Sequence, residues 1–112
     1  MPGQYEIITA SGTEVRFRLR SATGQVLATS RPYPGLDEAV QAVAHFKTLC
    51  AEAQRYRERA IDDGFWMFEV IASNDTALAH SVPFASLKFM RACIALTQLC
   101  GSRAKLRPGT AR

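Results

Sequence analysis

Residues 17–36 read FRLRSATGQVLATSRPYPGL, and residues 68–87, a constant 51 positions later, read FEVIASNDTALAHSVPFASL. Six of the twenty aligned pairs are identical, Phe17/Phe68, Ser30/Ser81 and Pro32/Pro83 among them, and Tyr33 is matched by a second aromatic, Phe84. An ungapped match of that length reads as a duplicated unit, and a repeat constrains the fold before any single motif does.

The first unit is legible from its periodicities. EVRFRLRS (14–21) alternates strictly, so as a strand it puts Val15, Phe17 and Leu19 on one face and Arg16, Arg18 and Arg20 on the other. YEIIT (5–9) precedes it as a short strand across a turn at SGT (11–13), and ATGQ (22–25) turns the chain into a third strand, VLATS (26–30). PYPG ends the sheet, and LDEAVQAVAHFKTLCAEA (36–53) then reads as a helix with Asp37 and Glu38 at its positive end. Ala39, Val40, Val43, Phe46 and Cys50 form its apolar face.

The second unit repeats the order as RYRERA, a DDG turn, FWMFEVIAS, a turn at Asn74–Asp75 and ALAHSV, followed by a helix over 86–100 that Ser86 caps. That helix is wet at Lys88, Arg91 and Gln98 and dry at Met90, Cys93, Leu96 and Cys100. Its phase matches the first helix at a spacing of 50, which implies a one-residue deletion near its start and brings Cys50 over Cys100. AEAQRYRERA (51–60) has two readings. Its residues are good helix formers that could extend the first helix, whereas Tyr56 falling where Tyr5 falls predicts a helix to about Ala53 and a strand over 55–60. The chain is thus expected to be one domain (1–112) of two units, 4–53 and 54–102, with a basic and partly disordered tail at 103–112.

The totals narrow the function classes. With 112 residues, 47% apolar and 21% charged, the chain can bury a core without a disulfide or metal. Cys93 and Cys100, seven residues apart on one helix, would have α-carbons about 10 Å apart, too far to bridge, so all three cysteines are expected as buried thiols. The net charge of +4 is local: residues 1–102 hold ten basic and ten acidic side chains, and the surplus lies in RAKLRPGTAR. A neutral body with a basic tail is a weaker nucleic-acid signal than the pI of 9.3 suggests. No stretch has the length of a membrane span, and MPGQYEIITASG has no signal-peptide pattern, so a cytoplasmic location is expected.

Beyond these readings, FRLRSATGQVLATSRPY resembles the YegP-like family of small bacterial proteins. That family's signature is an aromatic-rich strand, Phe-Arg-Leu-(Lys/Arg), a polar turn ending in Asn/Thr-Gly, a strand close to Val-Ile-Ala-Thr-Ser and an aromatic before the helix. The likeness spans about residues 4–101, strongly in the first unit and loosely in the second. It implies an α+β fold of two β3-α-β repeats sharing one antiparallel sheet, two helices on one face and terminal strands exchanged between the motifs. Two departures stand out: IASNDT replaces a glycine-containing turn, and both helices lack the family's Gly-Ile-x-Ser-Val-Lys wording. The family is one of unknown function, so the likeness implies architecture and no activity.

Three features are weighed for function. Arg16, Arg18 and Arg20, with Arg55, Arg57 and Arg59 in the second unit, form basic stripes that would suit nucleic acid together with the tail. Phe17 points to the opposite face, however, and Glu6, Glu14 and Glu58 are at hand as cross-strand partners, so a solvated ion-paired face is the stronger reading. The positions matching Arg16, Arg18 and Arg20 in the second unit are Met67, Glu69 and Ile71. Apolar residues on an open face mark association with a protein partner or a second copy, unless a loop or the tail covers them. Catalysis finds no footing. His45 and His80 stand apart from any triad or metal spacing, there is no phosphate loop, and no catalytic residue, metal site or cofactor is expected. A non-enzymatic interaction or self-association module is the leading expectation, with nucleic-acid binding the alternative.

Overall fold

The computed structural model describes residues 3–9 and 14–107; the SGT turn and the tail beyond Arg107 lie outside the described residues. Three strands, β1 (Gln4–Thr9), β2 (Val15–Arg20) and β3 (Val26–Ser30), lead into helix α1 (Leu36–Leu49). The pattern then recurs as β4 (Tyr56–Ile61), β5 (Phe65–Ile71), β6 (Ala77–His80) and α2 (Leu87–Cys100), followed by a short β7 (Lys105–Leu106). All seven strands form one sheet in the order β4-β5-β6-β3-β2-β1-β7. The two halves meet where β3 pairs antiparallel with β6. The sheet is mixed rather than wholly antiparallel, because β7 runs parallel to β1. This is the exchanged terminal strand the resemblance implied, so the tail is built into the fold as far as Arg107, whose N–H donates to the Tyr5 carbonyl.

Alternation decides which side of each strand is dry. β2 is buried at Val15, Phe17 and Leu19 and half-exposed at its arginines. Tyr5, Ile7, Phe17, Leu19, Phe68 and Val70 join Ala39, Val43, Phe46, Met90 and Cys93 in one core cluster beneath both helices. Tyr5, Phe17 and Phe46 pack edge to face, with ring centroids 5.4–6.1 Å apart. Where each third strand ends, a buried serine takes over the ladder. Ser30 Oγ accepts from Phe17 N and donates to the Arg31 carbonyl. Ser81 does the same between Phe68 N and the Val82 carbonyl.

Other contacts also recur 51 residues on. Gly24 and Asp75 both take a positive φ in their hairpins, so the turn that lost its glycine survives on a residue type that tolerates the left-handed region. The spacing of 51 continues through the helices, contrary to the expected 50. The buried positions Ala39, Ala42, Phe46 and Leu49 correspond to Met90, Cys93, Thr97 and Cys100. Cys50 therefore matches Gly101, not Cys100. Thr97 is buried although polar, because its hydroxyl donates to the Cys93 carbonyl at 2.8 Å. Val40, expected in the core, is exposed.

The helix ends are anchored crosswise. Tyr5 of β1 donates its hydroxyl to the Gly101 carbonyl after α2, and Tyr56 of β4 donates to the Cys50 carbonyl after α1, each at 2.7 Å. Tying off the Cys50 carbonyl helps explain why α1 stops at Leu49 rather than near Ala53: six β4–β5 residue pairs replace whatever the alanines and glutamate gain as helix. The strand reading of 51–60 holds from Tyr56 onward. Arg55, placed in that strand by sequence, instead closes a 3-10 turn over Ala53–Arg55.

Candidate interaction surfaces

The sheet face away from the helices carries the arginine stripes. Strand register lines up Glu6, Arg18, Thr29, His80, Glu69 and Arg57 in one row across six strands. Glu6 is its hub, with Oε1 accepting from Arg18 Nε at 3.0 Å and Arg20 Nε at 2.8 Å, and Oε2 lying 3.5 Å from Arg107. Arg16 donates to the Ser30 carbonyl, Arg59 pairs with Glu69 and Arg57 with Asp75. Arg55 leaves the stripe to pair with Glu52. Of the acids expected as partners, Glu6 takes that role. Glu58 points to the helix side, where both its oxygens accept from Arg91 of α2 at 2.8 and 2.9 Å. Six arginines against Glu6, Glu69 and Asp75 leave the face positive, but every one of the six has a partner.

Burial raises the Glu6 carboxyl, but the hydrogen bonds from Arg20 and Arg18 outweigh it and hold the group below its ordinary 4.5. A carboxyl depressed only in the folded state contributes stability that is complete above its unfolded value and is lost as pH falls through the folded one. Glu6→Gln is therefore expected to be less stable than the parent at neutral pH, and the gap should narrow below about pH 4.5. Urea unfolding of both proteins across that range measures it; a gap that is constant with pH would refute the role assigned to Glu6.

The association residues on this face divide. Glu69 is tied to Arg59, Met67 is half-buried, and Ile71 is only 7% exposed, beside the register shift between β5 and β6. Ile71 is thus closed to a partner, a correction to the sequence reading, which had no means of seeing its burial. Phe65 is the residue that reading passed over. It is 40% exposed, pairs with Ile61 at the β4–β5 hairpin and shares the Met67 side of β5. Extending the alternation two residues back from Met67 finds it.

The other surface is α2. Phe89 is 66% and Leu99 71% exposed, Ala92 is exposed and Leu96 half-buried. Spaced three, four and three apart, they form one apolar stripe along the outside of the helix. Leu96 packs partly against the core, in keeping with the dry side assigned to it from sequence, whereas Phe89 and Leu99 were assigned to neither side; the signal available was that α2 is apolar nearly all round, which a helix covered on only one side cannot fully bury. Beside the stripe, Phe84, Phe89, Ala92, Cys93 and Leu96 line a groove with Gln25. The matching groove on α1 is lined by Tyr33, Glu38, Gln41, Ala42, His45 and Leu78. The two grooves occupy corresponding places, but Glu38, Gln41 and His45 stand on α1 where α2 has Phe89, Ala92 and Leu96.

The thiols are buried and free, and desolvation pushes Cys50 and Cys93 up to about 11, far from a reactive thiolate. Among the described residues no group of three or more His, Cys, Asp or Glu is placed to hold a metal, and no helix is long and apolar enough to cross a membrane.

Comparison with known proteins agrees with the resemblance. A family model described as a domain of unknown function (DUF1508) matches residues 10–56. The UPF0339 protein YegP of Escherichia coli K12 is 23% identical over 110 residues, covering 98% of this chain and all of its own. A UPF0339 protein from the 5′ region of the ptx operon of Stutzerimonas stutzeri is 29% identical over 86 residues, 77% of this chain and 78% of its own. The solution NMR structure of E. coli yegP, a protein of unknown function, matches with a TM-score of 0.88 at 22% identity over 96% of this chain and 92% of that one. A UPF0339 protein of Shewanella oneidensis gives the same TM-score and identity. The fold is that of these proteins.

Proposed function

We propose that this YegP-like chain, whose relatives are uncharacterised UPF0339 proteins, is a non-enzymatic protein-interaction module that binds through the outer face of α2. The exposed stripe of Phe89, Ala92, Leu96 and Leu99 carries the reading, since large apolar side chains aligned on a helix gain most when another surface excludes water from them. Met67, Glu69 and Ile71 take no part in this contact, because β5 presents them on the sheet face away from the helices. The nucleic-acid alternative is supported by the excess of arginine on the open sheet face beside Phe65. It ranks second because phosphate would have to displace carboxylate or carbonyl partners from Arg16, Arg18, Arg20, Arg57 and Arg59.

One experiment with two arms separates the readings. The immobilised chain and its Phe89→Glu variant are offered a bacterial lysate, and both are titrated with labelled oligonucleotides at several salt concentrations alongside Arg16/Arg18/Arg20→Gln. The interaction reading expects a protein retained by the parent and lost with Phe89→Glu. The alternative expects oligonucleotide binding whose log–log salt slope falls by about 2–3 in the triple variant. Retention that ignores Phe89 refutes the first, and a slope that ignores the arginines refutes the second.

A further inference from the structure

We infer that the partner of the α2 stripe is a second copy of this chain, its α2 lying antiparallel across a two-fold axis, an inference that rests on the interaction reading above. The stripe is symmetric about residue 94. Phe89 and Leu99 lie five positions to either side of it, and Ala92 and Leu96 lie two to either side. An antiparallel pair with its axis at that level sets Phe89 against Leu99 of the second copy and Ala92 against Leu96. Each large side chain then has an apolar counterpart, and the small Ala92 makes room for Leu96.

Electrostatics point the same way. The stripe itself holds no charge, so no like charges are driven together at its centre. Lys88 lies at the level of position 100 in the opposite copy, where the helix ends and its dipole is negative. α2 has no acidic residue in its first turn and no basic residue in its last, so no side-chain charge of its own offsets its dipole and an antiparallel neighbour complements it. On α1 the matching positions Glu38, Gln41 and His45 are polar and would desolvate poorly in the same arrangement, so the contact belongs to α2 alone. A patch built on four side chains is at the small end of interfaces, so the dimer should be reversible in the micromolar range rather than obligate.

Sedimentation equilibrium of the full chain from about 1 to about 500 μM, spanning that range, tests the pairing with Phe89→Glu and Leu99→Lys. Both positions are exposed. The first substitution places glutamate three residues after the Ser86 cap, and the second places a cation in the last helical turn, so both variants should fold at least as well as the parent. The parent should dimerise, and each variant alone should associate at least about 100-fold more weakly. An equimolar mixture should regain a dimer, because the carboxylate introduced at position 89 of one copy meets the ammonium introduced at position 99 of the other. A parent that stays monomeric throughout overturns the inference. So does a parent dimer indifferent to both variants. Single variants that dissociate but do not recombine overturn the antiparallel pairing. If the parent is monomeric yet still retains a lysate protein that Phe89→Glu loses, the inference fails and the interaction reading stands; if both are absent, both fail.

Discussion

Truncating Phe17 to alanine is expected to lower the free energy of unfolding by about 3–5 kcal/mol, the range for a large buried aromatic whose cavity cannot collapse. Its ring is fully buried and meets Tyr5 at 5.9 Å and Phe46 at 5.4 Å, each edge to face. Those two rings are fixed in turn. Tyr5 is held by its hydrogen bond to the Gly101 carbonyl, and Phe46 by its place on a helix whose end Tyr56 secures. Neither is free to move into the space Phe17 leaves. The loss exceeds what removed surface alone predicts, because two aromatic pairs vanish with the ring. Phe17→Leu keeps most of the volume and should cost less than half as much. Urea denaturation of both variants decides the matter; a Phe17→Ala loss below about 1 kcal/mol would mean that the trio relaxes around the gap.

The second large effect is expected at Gly101. The residue has ordinary right-handed helical dihedrals, so its lack of a side chain is not demanded by φ. It is demanded by approach: a Cβ there would overlap Cys50 Sγ, lie 3.3 Å from Cys50 Cβ and stand 2.9 Å from the Thr97 carbonyl oxygen. This is where the ends of the two helices meet. Gly101→Ala should cost about 2–3 kcal/mol, since Cys50 is fully buried and the Thr97 carbonyl that the new methyl also meets is backbone. Cys50→Ala removes the sulfur, and the double variant should be more stable than the sum of the two single losses by at least about 1 kcal/mol. Strictly additive losses would show that the overlap with Cys50 is not what excludes a side chain at 101.

Much of this fold is local chemistry, and local chemistry is written in sequence. Alternation in VRFRLR made β2 a strand with a dry and a basic side, and the structure has that strand with those sides. Ser86 capped α2 as expected, accepting from Phe89 N. Turn chemistry located the hairpin at 72–76, where Asp75 does what Gly24 does in the first half. The resemblance to the YegP-like proteins supplied the exchange of the last strand, which no periodicity in the four residues Ala104 to Arg107 could have indicated.

The interaction surfaces were less legible. Apolar character in sequence states what a side chain would prefer, not whether anything arrives to cover it. Ile71 and Phe89 look alike on that criterion, yet Ile71 is 7% exposed at the end of β5 while nothing among the described residues covers Phe89. The arginines behaved similarly: sequence placed them on one face, but only the strand register brought Arg18, Arg20 and Arg107 onto the single carboxylate of Glu6.

From sequence alone came the elements, their order, the dry side of most of them and the reduced state of the cysteines, because each depends on residues within a turn or two of chain. Tertiary structure decided where α1 stops, the parallel pairing of β7 with β1, the crosswise tyrosine bonds, the glycine at 101 and the exposed stripe on α2. Each of these depends on which distant segment becomes a neighbour. That is settled when closing the chain over a shared core outweighs the preferences of short stretches, as six strand pairs outweigh the helix propensity of the residues after Leu49.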